Sequence, residues 1–298
     1  MKKLGQIIIA SIVAIILIPG AITAVVGNNM ELDKYELLDE KKQESIEGEQ
    51  LSQERLIGIV AKEIPIEHHE EAIKSQVVMA RSYIALGKGQ EKAYMTIDEM
   101  KEIWGNNYRK NYTKIQKAVE DTKNLILTYN NEPIQAVYHM QSAGITQDPM
   151  EVLGLEIPYI ESVESRWDEK SIDLLKEKTY SQEDISNRVN QKLGEPILEA
   201  YDLEAQIQII ERTKGGYVKS IQVGSKLMSG EEFKNTLGLR SSCFMIEYQG
   251  KQVRIISKGL GHGVGLSQYG ANEMAKEGKD YKEILKYYFP KADINYQK

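Results

Sequence analysis

The chain has 298 residues, 41% hydrophobic and 28% charged, with 44 acidic against 38 basic side chains and a net charge of -6. That is enough chain for one or two domains with a real core, and the acidic balance argues against a nucleic-acid binder, which should show a basic face. The single cysteine, Cys243, excludes an intramolecular disulfide. It sits in an apolar run that reads as a strand, and so as a buried, inert thiol.

In chain order, Lys2 and Lys3 precede an uncharged run from Leu4 to Met30, almost wholly aliphatic from Ile7 to Ile18. About 20 apolar residues are enough to span a bilayer. Residues 5–27 are therefore expected to form a transmembrane anchor, with residues 1–4 cytoplasmic and the remainder outside the cell membrane. A cleaved signal peptide is the alternative, although no clean Ala-x-Ala site is present. Residues 28–50, rich in Glu, Lys, Asp and Gln, read as a charged linker. The folded domain is expected to cover residues 51–298.

Arg55–Ala61 reads as a strand or a short helix. Pro65 suits the first turn of a helix, where its missing N–H costs nothing. Ile73, Val77, Ala80 and Ile84 recur at helical spacing and predict a helix from Ile66 to Leu86. Thr96 and Glu99 form a capping box for a helix ending near Trp104. Tyr112–Thr122 reads as a helix and Leu125–Tyr129 as a strand. The turn residues Asn130-Asn131 predict a hairpin into Ile134–His139. Ser181 caps a helix that stops before Gly194. Ile207–Glu211 and Tyr217–Val223 read as a hairpin turning at Lys214-Gly215-Gly216. Ser229 opens a helix closed by Gly238. Phe244–Tyr248 and Gln252–Ser257 pair across Gln249-Gly250. Ser267–Lys276 and Tyr281–Tyr288 are helical, the second capped by Asp280 and Glu283. These elements predict an α+β fold with mainly antiparallel hairpins, preceded by the membrane helix.

The densest signal is Gly259-Leu260-Gly261-His262-Gly263-Val264-Gly265-Leu266-Ser267-Gln268-Tyr269-Gly270-Ala271. Glycines serve where φ is positive or where backbones approach closely, so this loop is expected to present His262, Gly263, Ser267, Gln268 and Tyr269 to a ligand. Upstream, Glu63 stands beside apolar Ile64 and Pro65, an environment that desolvates a carboxylate and suits a general acid. Lys74 and Arg81, seven apart, share one side of the next helix. Such a stripe either is solvated or holds a substrate carboxylate. The segment from Tyr138 to Thr146 places His139, Ser142 and Thr146 at a strand end. His68 and His69 point apart and read as exposed. Four histidines with no paired helical spacing predict no metal. Gly265-Leu266-Ser267-Gln268-Tyr269 lacks the second glycine of a hydrolase nucleophile elbow.

Taken in order, Val60-Ala61-Lys62-Glu63-Ile64-Pro65, the helix with Lys74, Gln76 and Ala80-Arg81-Ser82-Tyr83, the loop from Tyr138 to Thr146, and Gly261 to Ala271 resemble the stage II sporulation protein D family. Amidase-enhancer proteins share that domain. The resemblance implies a membrane-anchored lytic transglycosylase that acts on peptidoglycan in forespore engulfment, on the engulfing mother-cell membrane. It implies Glu63 as the catalytic residue, with Lys74, Arg81, Tyr83, His139, Ser142, Thr146, His262, Gly263, Ser267, Gln268 and Tyr269 contacting glycan. Tyr83, Tyr138 and Tyr269 would either stack on sugar faces or pack in the core. It also implies glycan strands stripped of stem peptides as substrate, the stage II P amidase and the stage II M membrane protein as partners, and no cofactor. Some members carry a zinc cluster in the insert after the first long helix, but Gly87–Gly105 has neither Cys nor His. A hydrolytic muramidase and a non-catalytic, glycan-binding amidase enhancer remain as alternatives.

Overall fold

The computed structural model describes residues 53–89 and 92–297. The expected anchor and linker lie outside these residues, and no described helix is long and apolar enough to cross a membrane. In chain order the first elements are α1 (Gln53–Glu63), α2 (Glu70–Tyr83), α3 (Ile97–Trp104), α4 (Tyr108–Asp121), β1 (Leu125–Tyr129), β2 (Glu132–Pro133), β3 (Tyr138–His139) and α5 (Pro149–Leu153). Then come β4 (Leu175–Ser181), α6 (Gln182–Leu193), α7 (Leu203–Gln206), β5 (Ile207–Arg212), β6 (Val218–Val223), β7 (Lys226–Ser229), α8 (Gly230–Leu237), β8 (Phe244–Gln249) and β9 (Gln252–Lys258). The chain closes with β10 (Leu266–Ser267), α9 (Gln268–Lys276), α10 (Tyr281–Tyr288) and β11 (Asp293–Tyr296). The architecture is α+β, as predicted.

Among the described residues there are two hydrophobic cores. The first gathers Ile57, Val60, Ile73, Val77, Met79, Ile115, Leu127, Ala271, Leu285 and Phe289 from both ends of the described chain. Around it lie α1, α2, α4, α9, α10 and the sheet β11-β1-β2. The second core, with Val189, Ile221, Phe233, Phe244 and Ile255, belongs to β4 through β9. That lobe is an insertion built from two antiparallel three-stranded sheets, β4-β9-β8 and β5-β6-β7, with α6 and α8 against them. The stacked Phe233 and Phe244 rings, 5.4 Å apart, join α8 to β8.

Helix α2 runs through the first core, and every residue from Ser75 to Tyr83 is buried. Buried polar groups are generally hydrogen-bonded, and Ser82 and Arg81 of α2 find partners. The Ser82 hydroxyl accepts the Leu127 N–H at 2.7 Å. Arg81 donates to the carbonyls of Thr122, Leu125 and Val119 at 3.0, 3.1 and 3.2 Å. It thereby satisfies the last carbonyls of α4 and the entry to β1. Burial lowers its guanidinium to about 10, which leaves it cationic at neutral pH.

Arg55–Ala61, read as a strand or a short helix, lies inside helix α1. Two elements differ from the sequence reading. Pro65 is not in the first turn of α2. It opens a tight turn in which His68 N–H reaches Pro65 O, and α2 begins at Glu70 behind the cap His69. The expected hairpin into Ile134–His139 ends after Glu132–Pro133, because the Ala136 N–H turns back to Ile134 O. The chain then leaves the sheet, and β3 pairs with β10 in parallel, Tyr138 with Leu266 and His139 with Ser267.

Candidate active site

Glu63 ends α1, and its side chain is 6% exposed. Three elements distant in sequence hold it. Its backbone carbonyl, one of the orphan acceptors of a helix C-terminus, accepts the Gln268 amide at 2.8 Å. The same amide nitrogen donates to Gln76 Oε1 at 3.0 Å. The Glu63 carboxylate meets Lys92, from the loop before α3, with Oε1 3.0 Å from Nζ. Lys92 also donates to the Tyr138 hydroxyl at 3.1 Å. Its ammonium lies over the rings of Tyr83 and Tyr138, 5.0 and 5.2 Å from their centroids.

Helix α9 sets the backbone on both sides of the glutamate. Gln268 and Asn272 are four apart and so share a helix face. Gln268 holds the end of α1, and Asn272 Oδ1 accepts the His69 N–H at 2.7 Å before the start of α2. The turn with Ile64 and Pro65 is thus clamped from a helix about 200 residues away, a separation |i−j| of 203 to 205.

Helix α9 is itself fixed by Asp168, which is fully buried. Asp168 accepts Ser142 Oγ at 2.5 Å and Ser267 Oγ at 2.7 Å. Ser267 in turn accepts the Gly270 N–H as the cap of α9. Burial raises the Asp168 carboxyl above its usual range, while the serine hydroxyls pull it back down. Asp168→Ala strands both hydroxyls inside the protein. It is expected to cost about 2–4 kcal/mol and to slow turnover by loosening Gln268. A urea-unfolding midpoint equal to wild type would contradict this.

The glycine loop threads antiparallel and then parallel past residues 137–147. Leu260 and Gln141 exchange backbone hydrogen bonds, Gln147 N–H reaches Gly263 O, and Leu266 N–H reaches Val137 O. Gly265 has φ +76°, and a Cβ there would stand 2.0 Å from Val137 O. A Cβ on Gly263, at φ +78°, would stand 2.7 Å from the Tyr217 hydroxyl, which accepts the Ala143 N–H at 2.9 Å. The glycines therefore let two strands and the inserted lobe close on one another.

Several residues expected to touch glycan are turned inward instead. Ser142, Thr146 and Ser267 are fully buried; the two serines serve Asp168, and Thr146 Oγ1 bonds both backbone groups of Val163. Lys74 pairs with Glu71 at 2.7 Å and Asp121 at 3.1 Å, and Arg81 is used at the end of α4. Both lie away from Glu63 for a geometric reason. At about 100° per residue, Gln76 and Tyr83 fall on one side of α2, and Lys74 and Arg81 fall elsewhere. Tyr83 and Gln268 do stand at Glu63. Gly263 packs on Tyr217, and Tyr269 is half-buried, its N–H bonded to Met140 O.

His139 points from the opposite face of β3 to Tyr138 and stands 5.8 Å from the His262 ring. One residue sets both rings. Val264 O lies 3.1 Å from His139 Nδ1, which must therefore carry the hydrogen, and Val264 N–H donates to His262 Nδ1 at 3.1 Å. Burial depresses both imidazoles to about 3, the neighbouring His262 adding to the effect at His139 and Lys234 at His262. His68, half-buried rather than exposed as read from sequence, is lowered to about 4, chiefly by burial. Between pH 6.5 and these values the unfolded chain binds protons that the folded chain refuses. Stability is therefore full above about pH 6.5 and falls as pH drops toward 3. Unfolding free energies from urea titrations between pH 7 and 4 should fall by several kcal/mol, and less steeply in His139→Gln; parallel slopes would contradict the assignment.

Lys92 and Asp168 were not visible as site residues. Lys92 sits in a loop without periodicity, and Asp168 follows Trp167 in a short 3₁₀ turn. Only tertiary contact marks them. Cys243 is part-buried just before β8, and burial raises its thiol, in keeping with an inert role. Among the described residues no three His, Cys, Asp or Glu side chains converge as metal ligands.

Fold and site together define an α+β protein in which a C-terminal glycine-rich motif clamps the helix end bearing one nearly buried glutamate. The SpoIID family model, described as stage II sporulation protein, matches residues 41–129. Stage II sporulation protein D of Bacillus amyloliquefaciens is 36% identical over 260 residues, covering 82% of this chain and 74% of its own. That of Bacillus subtilis (strain 168) is 34% identical with the same coverage. The amidase enhancer of Bacillus subtilis (strain 168) is 25% identical over 79% of this chain and 39% of its own. The chain belongs to the stage II sporulation protein D family.

Proposed function

We propose that this protein is a peptidoglycan lytic transglycosylase of sporulation, with Glu63 as its one acid and base. The carrying observation is the setting of Glu63, a nearly buried carboxylate held by the Lys92 ammonium, with its backbone carbonyl held by the Gln268 amide of the glycine-rich motif. Hydrolytic glycosidases generally pair two carboxylates across the bond. A transglycosylase needs one, because the sugar supplies its own nucleophile.

In this reading Glu63 protonates the oxygen linking N-acetylmuramic acid to N-acetylglucosamine as the C1–O bond breaks. The resulting carboxylate takes the proton of the muramic C6 hydroxyl as O6 bonds to C1. A 1,6-anhydro end forms, water is not consumed, and Glu63 returns protonated. The protein would work outside the cell membrane on an N-terminal anchor, during engulfment of the forespore. Its substrate would be glycan stripped of stem peptides by the stage II P amidase, and the stage II M protein would be its membrane partner. Family membership supports this setting.

The test is product analysis after incubation with amidase-stripped peptidoglycan. Anhydro ends by mass spectrometry uphold the reading, and reducing ends would replace it with a muramidase. The similarity to an amidase enhancer favours a second reading, a glycan binder. Retained binding with no cleavage, and stimulation of an added amidase, would select that one.

A further inference from the structure

We propose that Lys92 is a positioning residue that sets the working state of Glu63: it holds the carboxyl group by Oε1 and neutralises the carboxylate formed between the two proton transfers. This rests on the lytic reading above. The two oxygens of Glu63 are not equivalent. Oε1 receives the Lys92 ammonium at 3.0 Å. Oε2 is shielded from solvent and accepts no hydrogen bond from the described residues.

Lys92 is itself held in place. Two of its three donors are used, on Glu63 and on the Tyr138 hydroxyl. The faces of Tyr83 and Tyr138 enclose the charge at 5.0 and 5.2 Å, an arrangement that favours a cation. Its side chain is 16% exposed, so water screens the pair far less than it screens a surface ion pair. The groups facing the pair come from four places. They are Tyr83 and Gln76 on α2, Tyr138 on β3, Gln268 on α9 and the loop bearing Lys92. Among the described residues Glu63 is the one carboxylate paired with this lysine.

The balance follows the reaction. When Glu63 passes its proton to the leaving oxygen, a negative charge appears on a carboxylate held 3.0 Å from a fixed ammonium. When the C6 hydroxyl gives its proton back, the charge disappears. The ammonium keeps its own proton throughout. A group already oriented toward charge that develops only during the reaction stabilises it without reorganisation.

The test uses the full-length protein and amidase-stripped glycan, with Lys92→Met, Lys92→Arg and Glu63→Gln in parallel. Circular dichroism checks folding. Removing the cation favours the protonated form of the carboxyl, so the alkaline limb of the kcat profile in Lys92→Met should move about 1–3 pH units upward. The maximal rate should fall about 10–100-fold with little change in KM, and Lys92→Arg should restore much of both. A Lys92→Met profile that superimposes on wild type overturns the proposal while leaving Glu63 and the lytic reading intact. If wild type makes no anhydro ends, the lytic reading fails separately. A ¹³C titration of the Glu63 carboxyl then decides the pairing. An upward midpoint in Lys92→Met upholds it, and an unchanged midpoint overturns it.

Discussion

Glu63→Gln is expected to lower the formation of anhydro ends by at least about 10²–10⁴-fold, the range that positioned acid–base catalysis supplies. The substitution keeps the shape of the side chain. The amide oxygen still accepts from Lys92, and the backbone carbonyl still accepts Gln268, so the end of α1 stays where it is. What is lost is the transferable proton. The comparison should be made well below the melting temperature, with glycan binding measured alongside. A variant that binds normally and still releases anhydro ends would remove Glu63 from the mechanism.

Gly265→Ala is expected to be the most destabilising of the glycine substitutions in the motif, at about 3–5 kcal/mol. A left-handed φ of +76° strains any L side chain. The larger effect is the contact. A Cβ 2.0 Å from Val137 O faces backbone, which has no rotamer to move into. Strands β3 and β10 must part, and the Leu266 N–H to Val137 O bond goes with them. Ser267 then shifts off Asp168, and Gln268 shifts off Glu63. Gly278 provides the control. Its φ is +91°, but nothing lies within 4 Å of its Cβ position. Gly278→Ala should cost only about 1–2 kcal/mol, the conformational part alone. Equal losses in urea unfolding would show that close approach is not what Gly265 is for.

Much of the fold could be read locally. Ser181, Ser229 and Asp280 each cap a helix with a side-chain bond to a backbone N–H, and that information lies within four residues. The hairpin of β8 and β9 needed only apolar runs and a turn. Strand β4 escaped because Lys176, Glu177 and Lys178 carry no strand pattern. It lies at the edge of its sheet, exposed along most of its length, and pairing with β9 is what makes it a strand. The pairing of β3 with β10 rests on two residues from distant parts of the chain, and no local rule reports that.

The site divides in the same way. Glu63 and Gln268 stand out by motif, and the structure joins them. The hydroxyls of Ser142, Ser267 and Thr146 were read as facing outward because a hydroxyl near glycines suits a binding loop equally well. Asp168 turns the two serines inward, and its position in the sequence gives no hint of that. The stripe of Lys74 and Arg81 was read from helical spacing, which fixes that two residues share a side but not what that side meets.

The inserted lobe also bears on how the first lobe is assembled. Its entry and exit are adjacent, with Leu175 opposite Lys258 at one end of the β4–β9 ladder. Once that ladder zips, the chain between Asp168 and the glycine motif behaves as a short tether, and the entropy of closing a long loop is largely removed. The glutamate is made early in synthesis and its clamp very late, with β11 closing against β1 last of all. A growing chain thus carries Glu63 for most of its length without the parts that position it. Such an order of assembly delays the clamping of Glu63 until Gln268 and Asn272 have been made.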